Sequence, residues 1–165
     1  VRDNPNTLAM EIGLSNDELD KQYRQFLNVS DDDLKRCDGL QYAERLLLGR
    51  TDVTDDGIQF LSVSSGLQDL NLQGTQITNQ TLEIISGCVQ LQELDLSETS
   101  IGDLGLGHLE KLKMLKVLSC RRTPISDAGL PHLESLNRLE QLDLSESNVT
   151  SDGLAYLRAQ LLKLK

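Results

Sequence analysis

Apolar positions along this chain first alternate and then recur at intervals of three, and the two rhythms return together every 24 residues. Four consecutive units begin at Leu67, Leu91, Leu115 and Leu139, and an earlier one begins at Ala43 with its later positions intact. Alternation at Leu70 and Leu72, Leu94 and Leu96, and Leu142 and Leu144 predicts short strands with one buried face. Their neighbours Asn71, Asp95 and Asp143 then point outward, and the strands should stack in parallel.

Three residues after each strand stands a hydroxyl, at Thr51, Thr75, Thr99, Thr123 and Ser147. A buried hydroxyl at a recurring corner is expected to bond the backbone of the next coil. Two positions on, Val53, Ile77, Ile101, Ile125 and Val149 plug the core. Thr54, Thr78, Ser126 and Thr150 follow at a position suited to capping a helix, with Gly102 in the remaining unit. Leu106, Leu109, Leu112 and Leu130, Leu133, Leu136 then mark a short helix on the sheet, so each unit is expected to hold one strand and one helix.

These units resemble leucine-rich repeats, in the form L-x-x-L-x-L-x-x-T-x-[IV]-[ST]-D-x-G-L-x-x-L-x-x-L found in bacterial repeat proteins and F-box-associated receptors. The resemblance covers residues 43–162. It implies an α/β fold: a right-handed solenoid with a parallel concave sheet and short helices on the convex side. It also implies that the family's asparagine ladder becomes a hydroxyl ladder here. Thr81 departs by replacing a helix glycine and Cys120 by replacing a strand leucine.

Residues 1–42 are read as a helical N-terminal cap with a degenerate repeat, and 43–165 as five repeats. Ser15 and Glu18 have capping-box spacing, and Leu19, Tyr23, Phe26 and Leu27 follow at helical intervals, which predicts a helix near 16–27. Val29, Ser30 and Leu34 stand 24 residues before Val53, Thr54 and Ile58, so the cap keeps the helical half of a repeat. Leu161, Leu162 and Leu164 close the sequence without a distinct polar cap, as expected either of a chain cut from a longer protein, the favoured reading, or of one that pairs through that edge.

Composition narrows the functional classes. The chain is 38% hydrophobic with only 3% aromatic residues, so the core is aliphatic. A net charge of −10 repels nucleic-acid phosphates and anionic membrane surfaces, and no apolar run reaches the ~20 residues of a membrane span. Neither nucleic acid nor membrane insertion is expected. The chain opens on Val1 with no secretion-like stretch, so any leader is missing or absent. Cys37, Cys88 and Cys120 lack both disulfide parity and metal spacing, and a reducing, cytoplasmic setting is expected.

Strands about 4.8 Å apart spread five units over about 20 Å, enough for a peptide or protein edge but shallow for a small substrate. Outward positions read Arg45, Asp69, Glu93, Val117, Gln141 in one column and Leu47, Asn71, Asp95, Ser119, Asp143 in the next. Asp69, Asn71, Gln73, Glu93, Asp95, Glu98, Arg121, Arg122, Gln141, Asp143 and Glu146 are therefore the candidate partner-binding residues. The carboxylates would attract basic groups, and the two arginines would grip an acidic or backbone feature. The structural alternative is that Glu98, Arg122 and Glu146 neutralise one another between coils.

The remaining chemistry-bearing residues fall into structural columns. Asp31, Asp32, Asp33, Asp55 and Asp56 belong to first turns of predicted helices, where negative charge complements the dipole. His108 and His132 share a column with Phe60, Ile84 and Tyr156, which favours helix packing over a metal. All three cysteines replace core residues and should be inert. No catalytic residue, metal or cofactor is expected. The leading expectation is a protein- or peptide-binding module, as a monomer or part of a longer chain. The alternatives are the substrate-recognition segment of a larger ubiquitin ligase or effector, and a structural cell-envelope protein. Residues 1–18 are too short for an F-box.

Overall fold

The computed structural model describes residues 29–161. The expected cap helix near 16–27 and the closing Leu162 and Leu164 lie outside them. Five three-residue strands, β1 (Arg45–Leu47), β2 (Asp69–Asn71), β3 (Glu93–Asp95), β4 (Val117–Ser119) and β5 (Gln141–Asp143), form one parallel sheet in sequential order. Each pairs with the next at a 24-residue offset, so Leu46, Leu70, Leu94, Leu118 and Leu142 form one column. Its first four members are buried, and each buried leucine contributes about 2 kcal/mol by leaving water. Alternation thus becomes a sheet with one apolar face, as the leucine pattern requires.

The return path is less regular than one helix per unit. Alpha-helix forms at α1 (Asp31–Arg36), α2 (Asn79–Ile85), α3 (Asp103–Leu106) and α4 (Ser151–Gln160), while Gln59–Val63, Gly107–Lys111 and Asp127–Leu133 are 3₁₀. Residues three apart eclipse in a 3₁₀ helix. The spacing of Leu106, Leu109 and Leu112 and of Leu130, Leu133 and Leu136 therefore suits the tighter turn, which corrects the expected run of ordinary helices. All six of these leucines are buried.

The corner hydroxyls do not bridge coils as expected. Thr51, Thr75, Thr99, Thr123 and Ser147 each donate to the carbonyl three residues earlier in their own coil, at 2.6 to 2.7 Å. A short side chain reaches its own turn more readily than the next coil, so these hydroxyls close corners.

Coils are bridged on the helical side instead. The Thr54 amide and hydroxyl donate to the two oxygens of Asp31 at 2.8 and 2.6 Å, and Thr78 donates in the same way to Asp55 at 3.0 and 2.7 Å. Ser126 does so to Asp103 at 2.7 and 2.6 Å, and Thr150 to Asp127 at 2.8 and 2.6 Å. Asp31, Asp55, Asp103 and Asp127 are thus acceptors for the next coil, beyond any complement to a helix dipole. Asp55 and Asp56 do not stand in a regular helix at all, since the segment after them is a turn leading into 3₁₀. The hydroxyls also cap: Thr78, Ser126 and Thr150 accept from the amides of Gln80, Ala128 and Gly153.

Two sequence departures follow from these rungs. Where the capping residue is Gly102 there is only an amide to satisfy, and the acceptor is Asn79, whose single carbonyl oxygen takes it at 2.8 Å. The helix glycines lie directly over the acceptors. A Cβ at Gly129 would stand 2.6 Å from Asp103 Oδ1, and one at Gly105 2.5 Å from Asn79 Oδ1. Thr81 is tolerated because its hydroxyl donates to Asp55.

Burial pushes the Asp55 carboxyl up, but the donors from Thr78 and Thr81 outweigh it and hold the pKa below its ordinary value. The Thr150 hydroxyl lowers Asp127 likewise. Groups with depressed folded pKa values stabilise above their unfolded pKa, near 4, and lose that contribution as pH falls through the folded one. Acid titration followed by circular dichroism is expected to show stability falling below about pH 4. Asp55→Ala should cost about 2 kcal/mol in chemical denaturation, because the Thr78 amide and the buried Thr81 hydroxyl lose their acceptor. An unchanged midpoint would contradict the rung.

Candidate functional site

Strand register brings the candidate residues together. Asp69, Glu93 and Gln141 occupy one column with Arg45 and Val117, and Asn71, Asp95 and Asp143 occupy the next with Leu47 and Ser119. Glu93, Gln141 and Asp143 are exposed, whereas Asp69, Asn71 and Asp95 are half-buried. Gln73 and Arg121 follow in the turns after β2 and β4, with Glu98, Arg122 and Glu146 one position further along the corner.

Part of this polar surface serves the coil itself. Asn71, Asp95 and Asp143 each accept, through Oδ1, the amide two residues on, from Gln73 at 3.0 Å, Ser97 at 2.9 Å and Ser145 at 2.8 Å. A short acceptor two residues before a turn is a local sequence signal for this role. The bonds from Ser145 lower the Asp143 pKa, keeping it charged. Asp69 shifts the other way: burial raises its carboxyl against the pull of the Arg45 guanidinium at 2.8 Å.

The corner column is left-handed in every coil. Arg50, Glu98, Arg122 and Glu146 have φ between 54° and 59°, and Gly74 has φ 65°. Such a backbone costs a residue with a Cβ about 1 kcal/mol, and glycine essentially nothing. Repetition stacks the side chains: Arg122 Nε donates to Glu146 Oε2 at 2.6 Å and its Nη1 lies 3.6 Å from Glu98. Arg121 also donates to Glu146, through Nε at 3.0 Å and through Nη2. The neutralising arrangement between coils is therefore present, and both arginines are engaged within the chain. They hold the Glu146 carboxyl below its ordinary range.

The other candidates settle into structural roles. His132 pairs with Glu110 at 3.0 Å rather than with His108, and Tyr156 donates to Glu134 one coil later in the same relation. Among the described residues no cluster of His, Cys, Asp or Glu has the makings of a metal site. Cys88 and Cys120 are fully buried, and burial raises both thiols, Cys88 to about 11. Cys37 is only half-buried, unlike the core position expected for it. A hollow of about 740 Å³ lies near it, with Leu34, Leu40, Tyr42 and Phe60 in its wall and none of the candidate residues.

Comparison with known proteins agrees with the geometry. A family model described as "Leucine Rich repeat" matches residues 87–110. An internalin from Listeria monocytogenes superposes with a TM-score of 0.62 at 22% identity, over 76% of this chain and 35% of that one. An internalin C2 from the same organism gives 0.58 at 30% identity, over 77% and 53%. The chain thus spans about a third to a half of the length of these relatives. No curated protein matches it in sequence.

The left-handed column makes two substitutions differ in sign. Gly74→Ala is expected to lower stability by about 1 kcal/mol. Glu98→Gly should leave stability unchanged or slightly raised, since relief of strain offsets a partly exposed ion pair worth roughly 0 to 1 kcal/mol. Thermal melts of the pair test this, and equal destabilisation by both would refute it.

Proposed function

Because the chain is a leucine-rich-repeat protein, whose fold is a general protein-interaction module, we propose that it binds a protein or peptide through its sheet face. The carrying observation is the pair Glu93 and Asp95 on β3, the middle strand. They stand two residues apart on one face, about 7 Å along the strand, and neither has an ion-pair partner among the described residues. Asp69, Glu98 and Glu146, by contrast, are already opposite arginines.

The pair fits a lysine or arginine of the partner, with Val117 and Ser119 offering contact on the next strand. Arg121 and Arg122 hold Glu146 and shape the rim, and their remaining N–H groups are free to meet a backbone carbonyl or carboxylate. Gln73, Gln141 and Asp143 extend the polar surface to either side. The reading is one of contact rather than catalysis, supported by thiols that burial makes inert. Free cysteines fit a reducing compartment such as the cytoplasm. No helix among the described residues is long and apolar enough to cross a membrane.

Random-peptide selection on the immobilised chain tests the proposal. Lysine or arginine should be enriched, and affinity for a selected peptide should fall about tenfold in Glu93→Gln/Asp95→Asn, a change that keeps an acceptor for the Ser97 amide. Asp152→Asn on the helical side should have no effect. Selection of acidic peptides, or equal affinity for the double variant, would overturn the assignment.

A further inference from the structure

Charge is divided along the edge that leads into the strands. Ahead of β2 and β3, residues 63–68 and 87–92 carry no charge. The equivalent residues ahead of β4 and β5, 111–116 and 135–140, carry Lys111, Lys113, Lys116 and Arg138 against the single carboxylate of Glu140. Burial of Leu112 and Leu115 turns their neighbours outward, so that Lys111 and Lys113 are exposed, as is Arg138, and Lys116 is half-buried. An inverse γ-turn at Leu112 (φ −83°, ψ 60°), closed by the Lys113 amide on the Lys111 carbonyl at 2.9 Å, holds the first two lysines on either side of it.

None of the four cations has a carboxylate partner among the described residues. The Lys113 ammonium donates to the Ser135 carbonyl at 3.2 Å and that of Lys116 to Gln92 Oε1 at 2.8 Å. Carboxylates close by in sequence are engaged elsewhere, Glu110 with His132 and Glu134 with Tyr156. Cations that served only to balance a chain of net charge −10 would lower its energy most beside such carboxylates. These four stand apart from them, and Val89, in register with Lys113, is 46% exposed next to them.

This edge adjoins the acidic pair on β3. The Lys116 amide donates to the Gln92 carbonyl at 2.8 Å, so backbone and side chain of Lys116 both rest on the residue that precedes Glu93. From Asp95 through Glu93 to the lysines the surface changes sign over about 7 to 14 Å, the span of two to four extended residues.

We propose that the partner segment is bipolar: a lysine or arginine sits on Glu93 and Asp95, and an aspartate or glutamate about two to four residues away sits on Lys113 and Lys116. The inference rests on the sheet-face reading and adds the partner's direction to it, since a segment laid the other way would set like charges against each other. Lys111 and Arg138 widen the field that receives the acid, and Val89 offers contact to an aliphatic neighbour.

In peptides selected on the immobilised chain, Asp or Glu should be enriched at a fixed offset from the selected Lys or Arg. Lys113→Gln/Lys116→Gln should weaken binding of such a peptide about fivefold, to the level of the same peptide with its acid replaced by the amide. The double variant should no longer distinguish the two peptides. Arg158→Gln, which removes a charge from the helical side, should leave affinity unchanged. Peptides that carry the base with no acid at a fixed offset, or an equal fall in affinity for the acid and amide peptides, would refute this inference and leave the sheet-face reading standing. Selection without the base would refute both.

Discussion

Every coil has to satisfy the backbone amide that opens its return segment, and it does so with an acceptor supplied by the coil before. Asp31, Asp55, Asn79, Asp103 and Asp127 are those acceptors, each reaching 23 residues forward in sequence. These bonds run from part-buried to exposed, and a donor left unpaired there costs about 1 to 3 kcal/mol at most, so the rung restricts both neighbours. It demands a hydroxyl or glycine at the cap, and against the acceptor either a glycine or, at Thr81, a hydroxyl that donates to it. The 24-residue period is the sequence expression of that fit: a slip of one residue would separate carboxylate, cap and glycine together.

The rungs divide the polar residues between support and contact. Acid on the helical side is committed to holding coils in register, and the sheet-face acceptors of Asn71, Asp95 and Asp143 each give one oxygen to their own turn. Strained corners carry charge in four of the five coils, and there the repeat turns Glu98, Arg122 and Glu146 into a chain of ion pairs. What remains available in the middle of the sheet is small: Glu93 and the outer oxygen of Asp95. A surface with few aromatic anchors and two such charges favours recognition governed by electrostatic match more than by area.

Strand positions and buried columns were legible in the sequence, because alternation at Leu70 and Leu72 or Leu94 and Leu96 allows one burial pattern only. Hydrogen-bond destinations were not. A column of Thr51, Thr75 and Thr99 looks the same whether its hydroxyls bridge coils or close corners, and only geometry shows that they close corners. Aspartates in first helical turns likewise match a dipole argument, and that match concealed their partners one coil ahead. The signal that would have exposed them was the joint change of Asn79 with Gly102, where acceptor and cap lose a hydrogen-bonding group together. For the sheet face, register was readable and gave the columns. The engagement of Arg121 with Glu146 was not, since it depends on the left-handed corner.

That joint change offers the most direct test of inter-coil rungs as the ordering interaction. Asp103→Asn should destabilise the chain because the Ser126 hydroxyl loses its acceptor, whereas adding Ser126→Gly recreates the Asn79–Gly102 arrangement and should recover part of the loss. In a double-mutant cycle by chemical denaturation, a coupling energy of about 1 kcal/mol or more is predicted. Simple additivity of the two substitutions would contradict the account.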